Sequence, residues 1–133
     1  MNKVAHSNYN MLVKAVELRI GNSTTTGNEL DTFCKSYFGT QFIGVFPRNM
    51  KPRFSKTKTQ YCIINTDPSH KSGDHWTAVA NKGGQLYGYD SFGRDINALL
   101  KMKRRKIINT DMTDREQRIT QTNCGARCVA WLM

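Results

Sequence analysis

Residues 75–90 read HWTAVANKGGQLYGYD. Over the first seven residues the side chains alternate. His75, Thr77 and Val79 fall on one side, and Trp76, Ala78 and Ala80 on the other, which is the period of a β-strand. Lys82-Gly83-Gly84 is a hairpin turn signal, and QLYGYD returns as the antiparallel partner. A hairpin closed at 82–84 puts His75 and Asp90 at the same end. A carboxylate there can accept the imidazole N–H, fix its tautomer and stabilise its charged form. Capping the SFGR turn that follows is a competing role for Asp90. Asp74 is a weaker orienter, because adjacent strand side chains point to opposite faces.

The flanking segments fill in the fold. Before the hairpin, YCIIN (61–65) is a short apolar strand, and QFIGVF (41–46) is an extended piece ahead of Pro47. The loop TDPSHKSGD (66–74) joins YCIIN to the hairpin. Residues 8–20 carry Leu12, Val13, Val16 and Ile20 at helical spacing, with Gly21 able to end the turn. After the loop GNSTTTGN (21–28), a second helix is expected over 28–38, with Leu30, Phe33, Cys34 and Tyr37 on its apolar face and Gly39 after it. Asp95 can cap a third helix containing Ile96, Leu99 and Leu100. KIIN (106–109) reads as a short strand, TDMTDREQRITQTN (110–123) as a polar loop, and a last helix starts at Cys124. Strands among helices of unequal length imply an α+β domain rather than a regular βαβ repeat. One domain over 1–133 is expected, with 1–27, a helix and loop, readable as an accessory extension.

Composition narrows the class. An apolar fraction of 38% with 10% aromatic residues belongs to a globular chain. No apolar run reaches membrane-span length, and MNKVAHSNYN lacks the apolar stretch of a signal peptide. The expectation is a soluble intracellular protein, not secreted. The four cysteines are then expected as free thiols, with Cys34, Cys62 and Cys128 in the core. Cys124 and Cys128 have no matching Cys or His pair nearby, so no metal site is expected. Twenty Lys and Arg against ten acids give a formal charge of +10, a field that attracts polyanions, nucleic acid above all. The cations concentrate in RNMKPRFSKTK (48–58) and KMKRRK (101–106). Neither stretch has interleaved aromatics, so sequence-independent phosphate contact is the expected mode.

Chemistry gathers at TQTNCGARCVAWLM (120–133). Asn123 is a good N-cap, which puts Cys124 in the first helical turn, where unpaired N–H groups and the helix dipole favour thiolate. Gly125 leaves space beside the sulfur for a substrate backbone. A cysteine that merely opens a core helix fits the same residues. A nucleophile needs a base, and the three histidines are His6, His70 and His75. His6 lies near the N-terminus and His70 in a loop, whereas a strand end can hold His75 in place, with Trp76 as an apolar wall. A structural histidine at a strand start is the alternative. An oxyanion could be met by the Cys124 N–H and by a side-chain amide from Gln117 or Gln121.

The order His, Asp, Gln, Cys resembles the adenovirus-type maturation cysteine proteases (adenain-like) and, more distantly, the SUMO-processing cysteine proteases. CIINT followed by GDHW, then YDSFG, then NCGARC, with FGTQFIGVFPRN upstream, carry the likeness over roughly 30–133. HW or CG alone is weak; four matches in order are strong. The resemblance implies an adenain-like fold, a small mixed sheet flanked by helices, with the nucleophile at the N-terminus of a buried helix. It implies His75 as general base, Asp90 as its orienter, Cys124 as nucleophile and Gln117 as oxyanion donor, Trp76 supporting the site. Gln121 is the other candidate donor if the loop is shortened. It further implies a monomeric endopeptidase that cleaves viral capsid or core precursors, within the virion and the infected cell. No cofactor is needed for the chemistry, but DNA and a short peptide act as activators. The family's activator-bonding cysteine has no counterpart in 91–123, and family members continue past the last helix. Two other readings stand beside this one: a basic nucleic-acid-binding protein on the same fold, and a ubiquitin-like-protein hydrolase.

Overall fold

The computed structural model describes residues 3–20, 27–67, 75–110 and 124–133. Its hairpin is the one the sequence implies. Strand β3 (Trp76–Lys82) pairs antiparallel with β4 (Gln85–Tyr89), with Lys82 opposite Gln85. The two-residue turn needs positive φ at both positions, and Gly83 (+64°) and Gly84 (+105°) supply it. The amide oxygen of Asn81 accepts the Gly84 N–H at 2.9 Å and fixes the turn.

Among the described residues three more strands join it in a five-stranded sheet of order β1-β2-β3-β4-β5. Strand β2 (Thr59–Asn65) runs antiparallel to β3, β1 (Phe42–Phe46) parallel to β2, and β5 (Ile108–Thr110) parallel to β4. The sheet is therefore mixed. Among the described residues four helices accompany it: α1 (Lys3–Ile20), α2 (Gly27–Phe38), α3 (Ile96–Leu99) and α4 (Cys124–Leu132). This is an α+β arrangement, a small mixed sheet flanked by helices, as expected.

The alternation along β3 sorts its side chains into two cores. Trp76, Ala78 and Ala80 join Ile63 and Tyr89 under α1, α2 and α4, where Val13, Leu30, Cys128 and Val129 are buried. Val79 joins Ile64 and Leu86 on the other face, covered by Ile96, Leu100, Ile107 and Phe54. Residues 76–81 are buried throughout, so β3 is a central strand with neither face solvated. Gly88 on β4 is required by this packing: a Cβ there would come within 2.6 Å of Ile107 and 2.7 Å of Ile96.

Boundaries shift in places. Helix α1 begins at Lys3, ahead of the apolar spacing that announces it, and β5 begins at Ile108 because Ile107 turns into the second core. Asp95 caps α3 as expected, accepting the Asn97 N–H at 3.1 Å, and also accepts from the Asn109 amide at 2.9 Å. Tyr37 departs from the expected apolar face. It is 57% exposed, with its ring stacked on Phe33 along the helix surface. The loop at 21–26, residues 68–74 including His70 and Asp74, and 111–123 including Gln117, Gln121 and Asn123 lie outside the described residues.

Candidate active site

The site forms at the open end of the β3–β4 hairpin, where α4 begins. His75 immediately precedes β3. Its carbonyl accepts the Thr66 N–H at 3.0 Å, which holds the backbone at the end of β2. The imidazole is largely buried and stacks on Phe92, with centroids 4.9 Å apart. Its Nε2 hydrogen-bonds to Oδ1 of Asp90, the residue that follows β4. That bond leaves Nδ1 as the nitrogen available to the Cys124 thiol, which is also hydrogen-bonded to His75.

Both roles that the sequence offered for Asp90 are realised together. While Oδ1 meets His75, Oδ2 accepts the backbone N–H of Arg94 at 3.0 Å and its Nε–H at 2.9 Å. The Asp90 carbonyl accepts the Gly93 N–H at 2.9 Å, closing the SFGR turn, and Gly93 takes φ +70° to allow it. The carboxylate has no solvent exposure, so burial alone would raise its pKa. Hydrogen bonds from His75 and Arg94, with the positive charge of His75, outweigh that and hold it at about 2. Arg94 and Phe92 are the site residues that sequence reading missed. The signal was there, an Asp and an Arg four apart across a glycine turn, but it read as competition rather than shared use.

Cys124 is the first residue of α4 and is 4% exposed. Burial disfavours its thiolate. Against this stand the hydrogen bond and charge of His75 and the backbone N–H groups of Trp76 and Gly125, and the net effect lowers the thiol pKa. For His75 burial likewise works against the cation, yet its bonds to Asp90 and Cys124 and their charges raise its pKa. The two shifts favour a thiolate–imidazolium pair. The other cysteines move oppositely: burial pushes Cys34 up to about 12 and raises Cys62 and Cys128 as well. All four are free thiols. Trp76 lines the first core, and its carbonyl accepts the Cys128 S–H at 3.2 Å, tying β3 to α4.

The expected His75, Asp90, Cys124 and Trp76 therefore come together at one end of the sheet. Chemically, a thiolate at a helix start with an imidazolium bonded to a buried carboxylate can attack an electrophilic carbon and return a proton to a leaving group. Gln117 and Gln121 lie outside the described residues. No three His, Cys, Asp or Glu side chains converge as metal ligands among the described residues.

The two basic segments also converge. Lys51 donates to the Leu100 carbonyl at 2.7 Å and to that of Arg48 at 2.8 Å, and Arg105 donates to the carbonyls of Phe54 (2.9 Å) and Gly84 (2.6 Å). These bonds stitch 48–58 and 101–106 into one face. Burial, then the charges of Arg48 and Lys103, lower the Lys51 pKa. Among the described residues no helix is long and apolar enough to cross a membrane.

Comparison with known proteins identifies relatives of this chain. A curated protein named Protease from ovine adenovirus D serotype 7 is 28% identical over 129 residues, covering 83% of this chain and 64% of the relative. A second protein named Protease, from bovine adenovirus 7, is 28% identical over 109 residues, covering 68% of the chain and 54% of the relative. The chain thus spans less than two thirds of the length of either. The family model described as adenovirus endoprotease matches residues 42–131, more than half the chain, from β1 almost to the end of α4. The chain belongs to the adenovirus endoprotease family.

Proposed function

We propose that this chain is a cysteine endopeptidase that cleaves structural precursor proteins of a viral particle or mobile element during maturation. The observation that carries the proposal is the hydrogen-bonded line Cys124–His75–Asp90, with the sulfur at the start of α4. In the proposed reaction the Cys124 thiolate attacks a peptide carbonyl. The oxyanion is met by the Cys124 N–H and by the Gln117 amide, with Gln121 as the other donor to test. Protonated His75 gives its proton to the departing amine as the C–N bond breaks, leaving an acyl-enzyme. Neutral His75 then takes a proton from water, whose oxygen attacks the thioester and releases the acid and the thiolate. Asp90 holds the ring so that Nδ1 faces the sulfur throughout.

DNA is proposed as a surface partner, and the merging of 48–58 with 101–106 into one basic face supports this. A short peptide activator would act without a disulfide to 91–123, since that stretch contains no cysteine. The working place would be the virion and the interior of the infected cell. The test is incubation of candidate particle precursors with wild type and Cys124→Ala, with and without DNA. Cleavage by wild type alone is expected. Equal cleavage by both proteins would remove the proposal.

A further inference from the structure

We propose that Arg94 is a positioning residue of this site: it locks the Asp90 carboxylate in the orientation that His75 needs and shares that carboxylate's charge with the imidazole. The proposal rests on the reading of Cys124 and His75 as the reacting pair. Its evidence lies in how many contacts one residue directs at one buried anion. Arg94 donates to Asp90 Oδ2 from its backbone N–H at 3.0 Å and from Nε at 2.9 Å, and to Oδ1 from Nη2 at 3.3 Å. Oδ1 is the oxygen that His75 also uses. The guanidinium therefore spans both oxygens, and the planar fork fixes the carboxylate plane in a way a single bond does not.

Exposed ion pairs contribute little because water screens both charges. This pair differs in its anion. The Asp90 side chain is wholly buried, while the Arg94 side chain is 46% exposed, so the guanidinium seals a buried charge from solvent. Phe92 links the same groups a second time: His75 stacks on its ring at 4.9 Å, and the Arg94 guanidinium lies 5.0 Å from its centroid. Taking away the Arg94 side chain would leave the carboxylate held by His75 and a single backbone N–H, without the fork that fixes its plane, and would remove one of the groups packed on Phe92.

Arg94 also contributes charge. The titratable and charged groups gathered here are His75 before β3, Asp90 and Arg94 in the turn after β4, and Cys124 on α4, a helix that also carries the buried Cys128 and Arg127. Arg94 is the permanent cation bonded to Asp90. Without it the thiolate of Cys124 loses a favourable charge and the imidazolium of His75 loses an unfavourable one. Both changes move ionisation to higher pH.

The test is the pH dependence of Cys124 alkylation by iodoacetamide in the whole chain, read by mass spectrometry, for wild type, Arg94→Gln and Arg94→Lys. The expected result is an alkaline shift of the Cys124 midpoint by about half a unit in Arg94→Gln, with about threefold slower labelling below the midpoint. Arg94→Lys keeps the charge but not the planar fork, and is expected to return the midpoint toward wild type while labelling below it stays slower. An unmoved midpoint in Arg94→Gln overturns the proposal, including where the variant melts earlier, since that pattern marks a purely structural role. A lysine variant with the glutamine variant's midpoint overturns the charge contribution, and one indistinguishable from wild type in both midpoint and rate overturns positioning by the fork. The readout needs no peptide substrate. A chain that cleaves nothing yet shows the shift and its rescue keeps the Arg94 role and loses the endopeptidase reading.

Discussion

Replacing Asp90 by asparagine removes one fully buried negative charge and almost nothing else in shape. The carboxylate pKa is held at about 2, against an ordinary value of 3.8. A gap of nearly two units corresponds to about 2–3 kcal/mol of native stability, from roughly 1.4 kcal/mol per unit. Because the folded value is the lower one, this stabilisation is complete above the unfolded value, near pH 4. It drains away as pH falls through the folded value. The amide keeps an acceptor for Arg94 but turns an N–H donor toward a second donor, either the His75 ring or the guanidinium. We therefore expect Asp90→Asn to be about 2 kcal/mol less stable than wild type at pH 6, or about 4–8 °C in melting temperature for a domain of this size. Urea unfolding at a series of pH values measures it. The difference between the two proteins should hold from pH 6 to about pH 4 and close progressively toward pH 2. Equal stability at pH 6, or a difference that ignores pH down to 2, would mean that Asp90 carries no stabilising charge in this fold.

Packing and surface charge elsewhere in the molecule carry expectations of their own. Gly88→Ala drives a methyl group into Ile96 and Ile107 and should cost about 1–3 kcal/mol by chemical denaturation; a neutral change would mean that β4 does not press on the second core. Tyr9→Phe removes the hydroxyl that α1 offers to the Tyr89 hydroxyl, and should cost about 1 kcal/mol if α1 docks on the sheet as described. Reversing the charge of the exposed Lys103 and Arg104 together should weaken binding to duplex DNA and lower the slope of log affinity on log salt by about 2. An unchanged slope would place the phosphate contacts elsewhere on the molecule.

The elements legible in the sequence share one property: their geometry is set locally. Gly83 and Gly84 can take positive φ and the flanking residues alternate, so the hairpin, and with it the meeting of His75 and Asp90, follows from 16 residues. The start of α4 at Cys124 was legible as the switch from a polar run to an apolar one. What stayed hidden depends on contacts between distant segments. The burial of both faces of β3 could not be read from Thr, Ala and Val, which are small enough to suit either a solvated or a covered face. The basic face needed Lys51 and Arg105 to reach carbonyls 49 and 51 residues away. Arg94 was hidden for a different reason: its reach back to Asp90 depends on the positive φ of Gly93, and a turn cap and an ion pair look alike in one dimension. The choice between Gln117 and Gln121 lies in 111–123, outside the described residues.

Competitive labelling of the four thiols speaks to the whole account at once. Brief iodoacetamide exposure near neutral pH, followed by peptide mass spectrometry, reports which sulfur is ionised and reachable. Cys124 should label well ahead of Cys34, Cys62 and Cys128, and His75→Ala should abolish that lead. Uniform labelling of the four, or a lead for Cys124 that survives the loss of His75, would show that the imidazole and the sulfur do not act together.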